Sequence, residues 1–168
     1  DKWKNYDVIL GEKIPVNNWK LSKILKHAKK KFLLNPSYFI KENQNIKLHF
    51  DIFHGDGYLD KAITALDPNE RKDFTDFVKN NHSFNRENLF FCKSNKLLKN
   101  YFNSVFNWLE ACESFFGFDL EGYAKTRIYA FLAERYLSYW FNKYSKPLDW
   151  PIFFFDTNKN KIEIKKIK

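Results

Sequence analysis

The stretch "GYAKTRIYAFLAERYLSYWF" (residues 122–141) decides the fold of this chain. Its centre, "IYAFLA", is apolar at every position, and a helix that is apolar all round is buried all round. The pattern therefore predicts a long, buried helix over residues 122–144. Pro147 lies just beyond this helix and stops it, because proline cannot continue a helix.

Charged residues border this apolar run at both ends. Arg127 precedes it, and Glu134 and Arg135 follow it. An unpaired carboxylate in an apolar interior is costly, so Glu134 should be paired, neutralised or facing a cavity. Arg127 lies on nearly the same helix face but about two turns away, so the two groups could meet only by stretching or through something bound between them. A structural ion pair with another element and a catalytic or substrate-binding carboxylate both fit this pattern.

Outward from this helix, strands alternate with helices, which is typical of an α/β fold. The periodicity predicts a short buried strand at residues 5–10, a basic amphipathic helix at 17–34, a short strand or a helical turn at 48–53, and a helix that begins near Tyr58. Asp67, Pro68 and Glu70 are typical of a helix start with a capping box. A loop that leads into a buried strand follows at 83–94, and a final strand is predicted at 150–156.

A second long helix is predicted from the Ser94 cap to Phe116, where Gly117 ends it. We expect one domain over residues 1–156, followed by a basic tail at 157–168. The inward side of the second long helix is expected to carry Leu98, Tyr101, Phe102, Val105, Phe106, Leu109 and Cys112.

The composition indicates a globular chain whose core or binding cleft is strongly aromatic, since 44% of its residues are hydrophobic and 20% are aromatic. The net charge of +9 is compatible with an anionic partner, such as nucleotide phosphates, nucleic acid or an acidic membrane surface. The other interpretation is that the lysines are solvated, since Lys, Asn, Ile and Phe are all abundant, as expected from an AT-rich genome. Nucleic acid is not expected, because the lysines are spread along the chain and no known reader motif is present. Cys92 and Cys112 lie in apolar surroundings without metal-ligand spacing, which favours buried free thiols in a reducing compartment.

The stretch "LHFDIFHGDGYLD" (residues 48–60) gathers histidines, acids and glycines. His49, His54 and Asp56 could recognise a sugar or a phosphate, because a helix start follows the glycines and helix N-termini attract anions. A divalent cation is a second possibility, although no HExxH or DxD frame supports it. A third possibility is that Asp56 caps the helix near Tyr58 and that the histidines pack in the core.

The stretch "SFNRENLFFCKS" (residues 83–94) places Asn85 and Asn88 before the predicted buried strand. These residue types form Asx turns, in which the side chain bonds to the nearby backbone. The alternative is a loop at a strand end that binds hydroxyl groups, with Arg86 for an anion.

The order of four stretches resembles a bacterial glycosyltransferase family. It is a family long catalogued as a domain of unknown function in capsule and lipopolysaccharide gene clusters. Its pattern is a histidine pair before a helix, an Asn-rich "FNxxN-(M)F" turn, a helix ending in Trp-Leu, and an "R…GFLAER" helix. The corresponding stretches here, within residues 6–156, are "HFDIFHGDGYLDKAI", "SFNRENLFFCKS", "YFNSVFNWLEACE" and "GYAKTRIYAFLAERYLSYWF".

The chain departs from this family pattern in two respects. Its "NLF" replaces the family's "NMF", which is a mild change. Nothing here matches the family's N-terminal half, which resembles an α/β unit that binds a nucleotide sugar and contains an "HYRR" stretch. The resemblance therefore implies the C-terminal, acceptor-side part of a transferase, with a partial glycosyltransferase A-like layer of two long helices and a few short strands.

The resemblance also implies roles for residues at the family's motif positions. Glu134 would be the base that deprotonates the acceptor hydroxyl. Arg127 and Arg135 would orient Glu134 or face the leaving diphosphate. The sugar hydroxyls would be positioned by His49, His54, Asn85 and Asn88. A non-catalytic binding or scaffold module in a capsule assembly complex is the alternative function.

The basic helix at residues 17–34 suggests where such a protein would work. Lys20, Lys23, Lys30 and Lys31 share one broad face, with Trp19 near the start. Acceptors of this family are commonly lipid-linked, so the resemblance implies a cytoplasmic protein that is peripheral on the inner face of the plasma membrane. A solvated lysine face remains the other interpretation.

Overall fold

The computed structural model describes residues 2–157 and 161–163. The fold is mixed α/β and mostly helical, which confirms the predicted class. Short 3-10 helices lie at Lys2–Asn5, Pro36–Phe39 and Lys41–Asn43. The strands and α-helices follow in the order β1 Val8–Gly11, β2 Lys13–Pro15, α1 Leu21–Leu34, α2 Ile46–His54, α3 Tyr58–Ile63, α4 Pro68–Asn80, β3 Ser83–Asn85, β4 Phe90–Cys92, α5 Asn95–Phe116, α6 Tyr123–Thr126, α7 Ile128–Tyr144, β5 Pro147–Trp150, β6 Phe154–Asp156 and β7 Lys161–Glu163.

Helix α7 lies in the core, as its apolar sequence predicts. From Arg135 to Phe141 every side chain is buried, and α7 packs against α5, α4, α2 and β3. The predicted single helix over residues 122–144 is wrong in one respect. The backbone of Arg127 is not helical (φ −105°, ψ 18°), so a single turn, α6, precedes α7.

The largest sheet within the described ranges has three strands in the order β4-β1-β5. Strand β1 pairs antiparallel with β4 and parallel with β5, so Ile9 lies beside both Phe91 and Leu148. Because side chains alternate along a strand, Val8 and Leu10 enter the core. Ile9, with its neighbours Phe91 and Leu148, faces the opposite side of the sheet. Strands β2 and β3 form one small antiparallel pair, and β6 and β7 form another.

Of the two possibilities for residues 48–53, the helical turn is confirmed and the strand is wrong, because this stretch is part of α2. The Asn45 side chain caps the helix by accepting the Leu48 backbone N–H at 2.8 Å. Ile46, Phe50 and His54 recur every four residues and are all buried, so the helical period governs this stretch. Gly55, with φ +129°, then turns the chain away.

The predicted helix starts at Asp67 and Ser94 are confirmed. The Asp67 carboxylate accepts the Asn69 N–H at 2.9 Å, and the Ser94 hydroxyl accepts the Leu97 N–H at 3.2 Å. The capping box is wrong, because Glu70 instead accepts hydrogen bonds from side chains of α7.

The predicted tail at 157–168 lies largely outside the described residues; within it the structure describes residue 157 and β7. No helix in the described part of the chain is both long enough and apolar enough to cross a membrane.

Candidate functional site

Arg135 is the centre of the cluster that the motifs form. Its side chain is 1% exposed, because α7 places it in the core facing α2. One guanidinium nitrogen, Nη2, lies 3.2 Å from His49 Nδ1 and 3.1 Å from His54 Nε2. The other, Nη1, donates to the Phe131 carbonyl at 3.1 Å and to Glu134 Oε2 at 2.8 Å. Helices α2 and α7 are therefore joined through one buried cation.

Aromatic rings surround the Arg135 guanidinium. Its central carbon lies 4.2 Å from the ring centre of Phe84 and 5.3 Å from that of Phe50. His54 stacks on Phe131 with the ring centres 3.8 Å apart. Rings attract a cation through their negative faces, and this attraction is strongest where water is excluded.

Both histidines are neutral in this environment. An arginine can only donate, so His49 Nδ1 and His54 Nε2 must be acceptors and carry no proton. Burial, reinforced by the Arg135 charge, lowers the pKa of His54 to about 3 and holds the pKa of His49 well below its ordinary value. The His54 proton is then on Nδ1, which has no hydrogen-bond partner within the described ranges.

Glu134 lies beside this cluster, one position before Arg135. Its side chain is 13% exposed, and its Oε1 accepts the Glu87 backbone N–H at 3.2 Å. Burial raises the pKa of Glu134, and the Arg135 charge opposes that rise. The carboxylate is thus a stronger base than a solvated one. One lone pair of Glu134 accepts from Glu87 and one from Arg135, so its other lone pairs remain for a ligand.

The loop between β3 and β4 approaches α7 from the other side. Glu87 and Asn88 have positive φ values of 69° and 49°, a conformation that asparagine tolerates better than most residues. The Asn88 Nδ2 donates to the Ala130 carbonyl at 3.2 Å, one turn before Glu134. Its Oδ1 is buried and has no hydrogen-bond partner in the described part of the chain. Asn88 therefore adds an unused acceptor near the Glu134 carboxylate.

Asn85 joins elements and does not face the cluster. It is fully buried, and its Nδ2 donates to the Gly11 carbonyl at 2.6 Å and to Asp149 Oδ1 at 2.8 Å. Its Oδ1 accepts from the Ser138 hydroxyl at 2.9 Å, and its N–H donates to that hydroxyl at 2.6 Å. All of its polar groups are used, so Asn85 links β1, β3, β5 and α7.

Two predicted site residues lie away from Arg135. Asp56 is exposed and pairs with Lys31, and it caps nothing, since α3 begins after Gly57 without a side-chain cap. Arg127 is exposed and lies over the rings of Tyr123 and Phe131, and it also bonds to the Tyr123 hydroxyl. Its charge still lowers the pKa of Glu134, although less than Arg135 does.

No group of three or more histidine, cysteine or carboxylate side chains in ranges 2–157 and 161–163 could hold a metal ion. His49 and His54 each contact Arg135 with one ring nitrogen, and their other ring nitrogen carries a proton that can be donated in a hydrogen bond. The sequence interpretation missed Ser138 and Phe84. A lone hydroxyl within the apolar run of α7, one turn after Glu134, was the available signal for Ser138.

A family model described as a domain of unknown function, DUF4422, matches residues 4–146. This match includes every predicted site residue from His49 to Arg135. Neither the curated proteins nor the solved structures gave a match.

Proposed function

We propose that this chain, which belongs to the DUF4422 family, is the acceptor-side part of a glycosyltransferase that moves a sugar from a nucleotide sugar to a surface glycan of the capsule or lipopolysaccharide type. The observation that carries the proposal is the Glu134 carboxylate, which is held beside Arg135, His49 and His54 with a raised pKa. The resemblance of the four motif stretches to a bacterial glycosyltransferase family supplies the reaction class.

Sugar transfer needs a base at the acceptor. The acceptor oxygen forms a bond to the anomeric carbon, the bond from that carbon to the nucleoside diphosphate breaks, and the hydroxyl proton passes to Glu134. A carboxylate whose pKa is raised by burial is suited to take that proton. Arg135 would keep Glu134 oriented, and the exposed Arg127 would meet the charge of the leaving diphosphate.

The unused polar atoms of the cluster support a hydroxyl-bearing ligand. The His54 Nδ1–H is a donor and the Asn88 Oδ1 is an acceptor; both are buried without a partner among the described residues, so a ligand would reach them by displacing the side chains packed over them. A hydroxyl group both donates and accepts, so sugar hydroxyls match this pair chemically. We therefore assign His54 and Asn88 to acceptor binding, and His49 to holding Arg135.

The glycosyltransferase A-like architecture is part of the same proposal. Its support is the parallel pairing of β1 and β5. Ligands in α/β folds bind beyond the carboxyl ends of parallel strands. The carboxyl ends of β1 and β5 are Gly11 and Trp150, and the side chains of Asn85 and Asp149 lie beside them.

Glu134→Gln in the full-length protein tests this function, because glutamine keeps the shape and removes the base. With a panel of uridine, guanosine and cytidine sugar nucleotides and a glycan acceptor, we expect transfer to fall by ~10²-fold or more. The melting temperature should fall as well, because Arg135 loses its buried counter-ion, so transfer is compared per folded molecule. Glu110→Gln, at an exposed carboxylate of α5, is the matched control and should leave transfer unchanged.

Two results would contradict the proposal. One is the absence of transfer from every sugar nucleotide by the wild-type protein. The other is a Glu134→Gln variant that is as active per folded molecule as wild type, with lost stability as its only defect.

A non-catalytic binding or scaffold module is the second candidate function. The outer face of the three-stranded sheet favours it, because Phe91, Trp150 and Phe153 are exposed there around a surface cavity of about 410 Å³. Exposed apolar patches of this kind mark sites for partners. Under this alternative, substitution of Phe91 and Phe153 by serine would abolish partner binding, while Glu134→Gln would affect only stability.

A further inference from the structure

Helix α1 and the segment that follows it, up to Ile40, expose six large apolar side chains. Leu33 and Leu34 are each 68% exposed, and the others are about half exposed. We call this set the α1 surface; its apolar members are Leu21, Leu25, Leu33, Leu34, Tyr38 and Ile40.

The α1 surface lies on an element that is attached to the body by few residues. In α1 only Ile24 and Ala28 are buried, and with Phe39 they form a small cluster apart from the main core. Trp19 packs inward against His49 and Phe53, so it is not available to a partner. The contacts of α1 thus leave its outer side without any partner in the described part of the chain.

The direction of the outer side follows from the contacts of α1. The helix bends at Ala28, which has non-helical φ and ψ values. After the bend, Phe32 packs on Phe39 and Lys31 pairs with Asp56, so these two side chains point to the body. At about 100° per residue, Leu33 and Leu34 then lie on the opposite side, together with Lys29 and Lys30.

The charge of this segment is of one sign. Residues 20–41 contain seven lysines and no acidic residue. The inner two are engaged, since Lys31 pairs with Asp56 and Lys23 lies over the Phe53 ring. Lys26, Lys29 and Lys30 are exposed among the leucines. A surface that mixes lysines with exposed leucines matches a partner that is anionic outside and apolar below.

We propose that the α1 surface docks on an anionic lipid bilayer, with Leu33 and Leu34 entering the boundary between headgroups and acyl chains. A basic amphipathic helix binds such an interface through buried apolar area and through attraction to anionic lipids. Nucleic acid would satisfy the lysines and would leave the leucines exposed. The inference does not depend on sugar transfer, because it rests on the exposure and the charge of α1.

Flotation of the full chain with vesicles tests the proposal. The vesicles contain phosphatidylcholine with about a third phosphatidylserine, at low ionic strength, and neutral phosphatidylcholine vesicles are the comparison. We expect binding to the anionic vesicles, no binding to the neutral ones, and release at high salt, where charges are screened.

Three variants assign the binding to the α1 surface. Lys26→Gln/Lys29→Gln/Lys30→Gln should lower the partition constant by roughly 10²-fold, since each lysine contributes about fivefold. Leu33→Ser/Leu34→Ser should lower it by at least about tenfold at unchanged charge. Lys72→Gln/Lys96→Gln/Lys99→Gln removes three exposed lysines elsewhere and should bind as wild type does. Melting temperatures are compared first, so that folded proteins are tested.

Four results would overturn the proposal. They are no binding of the wild type to anionic vesicles at low salt, equal binding to neutral vesicles, an equal loss in the control lysine variant, and full binding by the leucine variant. The last result would mean that the α1 surface binds anions through its lysines and that Leu33 and Leu34 do not enter the bilayer.

Discussion

Arg135 is a buried cation whose neutralisation depends on a single carboxylate. Burial lowers the pKa of Arg135 to about 10, and the Glu134 charge opposes this effect. The guanidinium is therefore still charged at neutral pH, and its Nε–H has no hydrogen-bond partner in the described part of the chain. Because His49 and His54 contribute lone pairs and no charge, loss of either member of the pair leaves the other as an uncompensated buried ion.

Arg135→Met should lower the free energy of unfolding by ~3–5 kcal/mol at pH 7, since it strands the Glu134 carboxylate. In the double variant with Glu134→Gln, the loss should be clearly smaller than the sum of the two single losses. Urea denaturation of the four proteins measures this coupling. Arg127→Met, at an exposed arginine, is the control and should change stability by less than about 1 kcal/mol. Additive losses would show that the two side chains do not act as a pair.

At this scale the sequence singled out Glu134, Arg135, His49 and His54, because each is polar in apolar surroundings. The sequence could not show that Arg135 contacts the two histidines, since His49 and His54 are separated from it by 86 and 81 positions along the chain. It also grouped Asp56 with His54, only two residues away. Gly55, whose φ of +129° few side chains allow, turns the chain between them and sends Asp56 to Lys31.

The elements show where periodicity alone is insufficient. "LHFDIF" alternates like a strand, whereas Ile46, His54 and the Asn45 cap, which show that the stretch is helical, all lie outside it. In α5 the predicted inward side was too broad. Tyr101, Val105, Trp108 and Cys112 form a narrow buried stripe with Phe116.

Phe102 and Phe106 were predicted to face inward in α5 and are exposed. At about 100° per residue, each lies roughly a quarter turn or more from the middle of the buried stripe. The spacing along α5, and not the size of the side chain, decides which residues are buried. Trp108, three residues after Val105, fits the stripe and was overlooked.

The junction of β3 with α7 determines where the loop after β3 begins. Ser138 accepts the Asn85 N–H and donates to the Asn85 Oδ1, and both residues are fully buried. This pair fixes the start of the loop that carries Glu87 and Asn88 to α7. The position of the Glu87 N–H on Glu134 thus depends on a hydroxyl one turn further along α7.

Ser138→Ala should lower the free energy of unfolding by ~1–3 kcal/mol, because the Asn85 N–H would be left buried without an acceptor. Urea denaturation at neutral pH checks this. Ser114→Ala, at an exposed hydroxyl on α5 that bonds only to its own helix, should stay within about 0.5 kcal/mol of wild type. Equal stability of Ser138→Ala and wild type would mean that the Asn85 N–H finds another acceptor and that the junction does not control the loop.

For the whole molecule, the sequence predicted the α/β class and the two long helices. The apolar periodicity of a long helix can be recognised whatever the tertiary arrangement. The strand order β4-β1-β5 could not be predicted, since it combines strands from both ends of the chain. The site follows from this assembly. Helix α7 brings Arg135 to α2, and the strand pairing brings the Asn88 loop to α7, so the cluster is a property of the complete fold.

The fold also determines how the free energy of unfolding depends on pH. The direction of each pKa shift decides whether stability rises or falls with pH. His49 and His54 have folded pKa values far below the ordinary value of about 6.5. As the pH falls through 6.5, the unfolded chain takes up protons there that the folded protein cannot, so stability is lost. The raised pKa values of Glu134 and Asp51 act in the opposite sense, because the folded protein takes up these protons at a higher pH than the unfolded chain does.

Between pH 7 and pH 5.5 the two histidines together should lower the free energy of unfolding by ~2 kcal/mol. Urea denaturation across this range measures the loss. In His49→Asn and in His54→Gln the amide oxygen can still accept from Arg135 without titrating, so each variant should lose about half as much, and the double variant almost nothing. His27→Gln, at an exposed histidine, should lose as much as wild type. If the double variant loses the full amount, the pH dependence comes from other groups, and the neutral pair facing Arg135 is not its source.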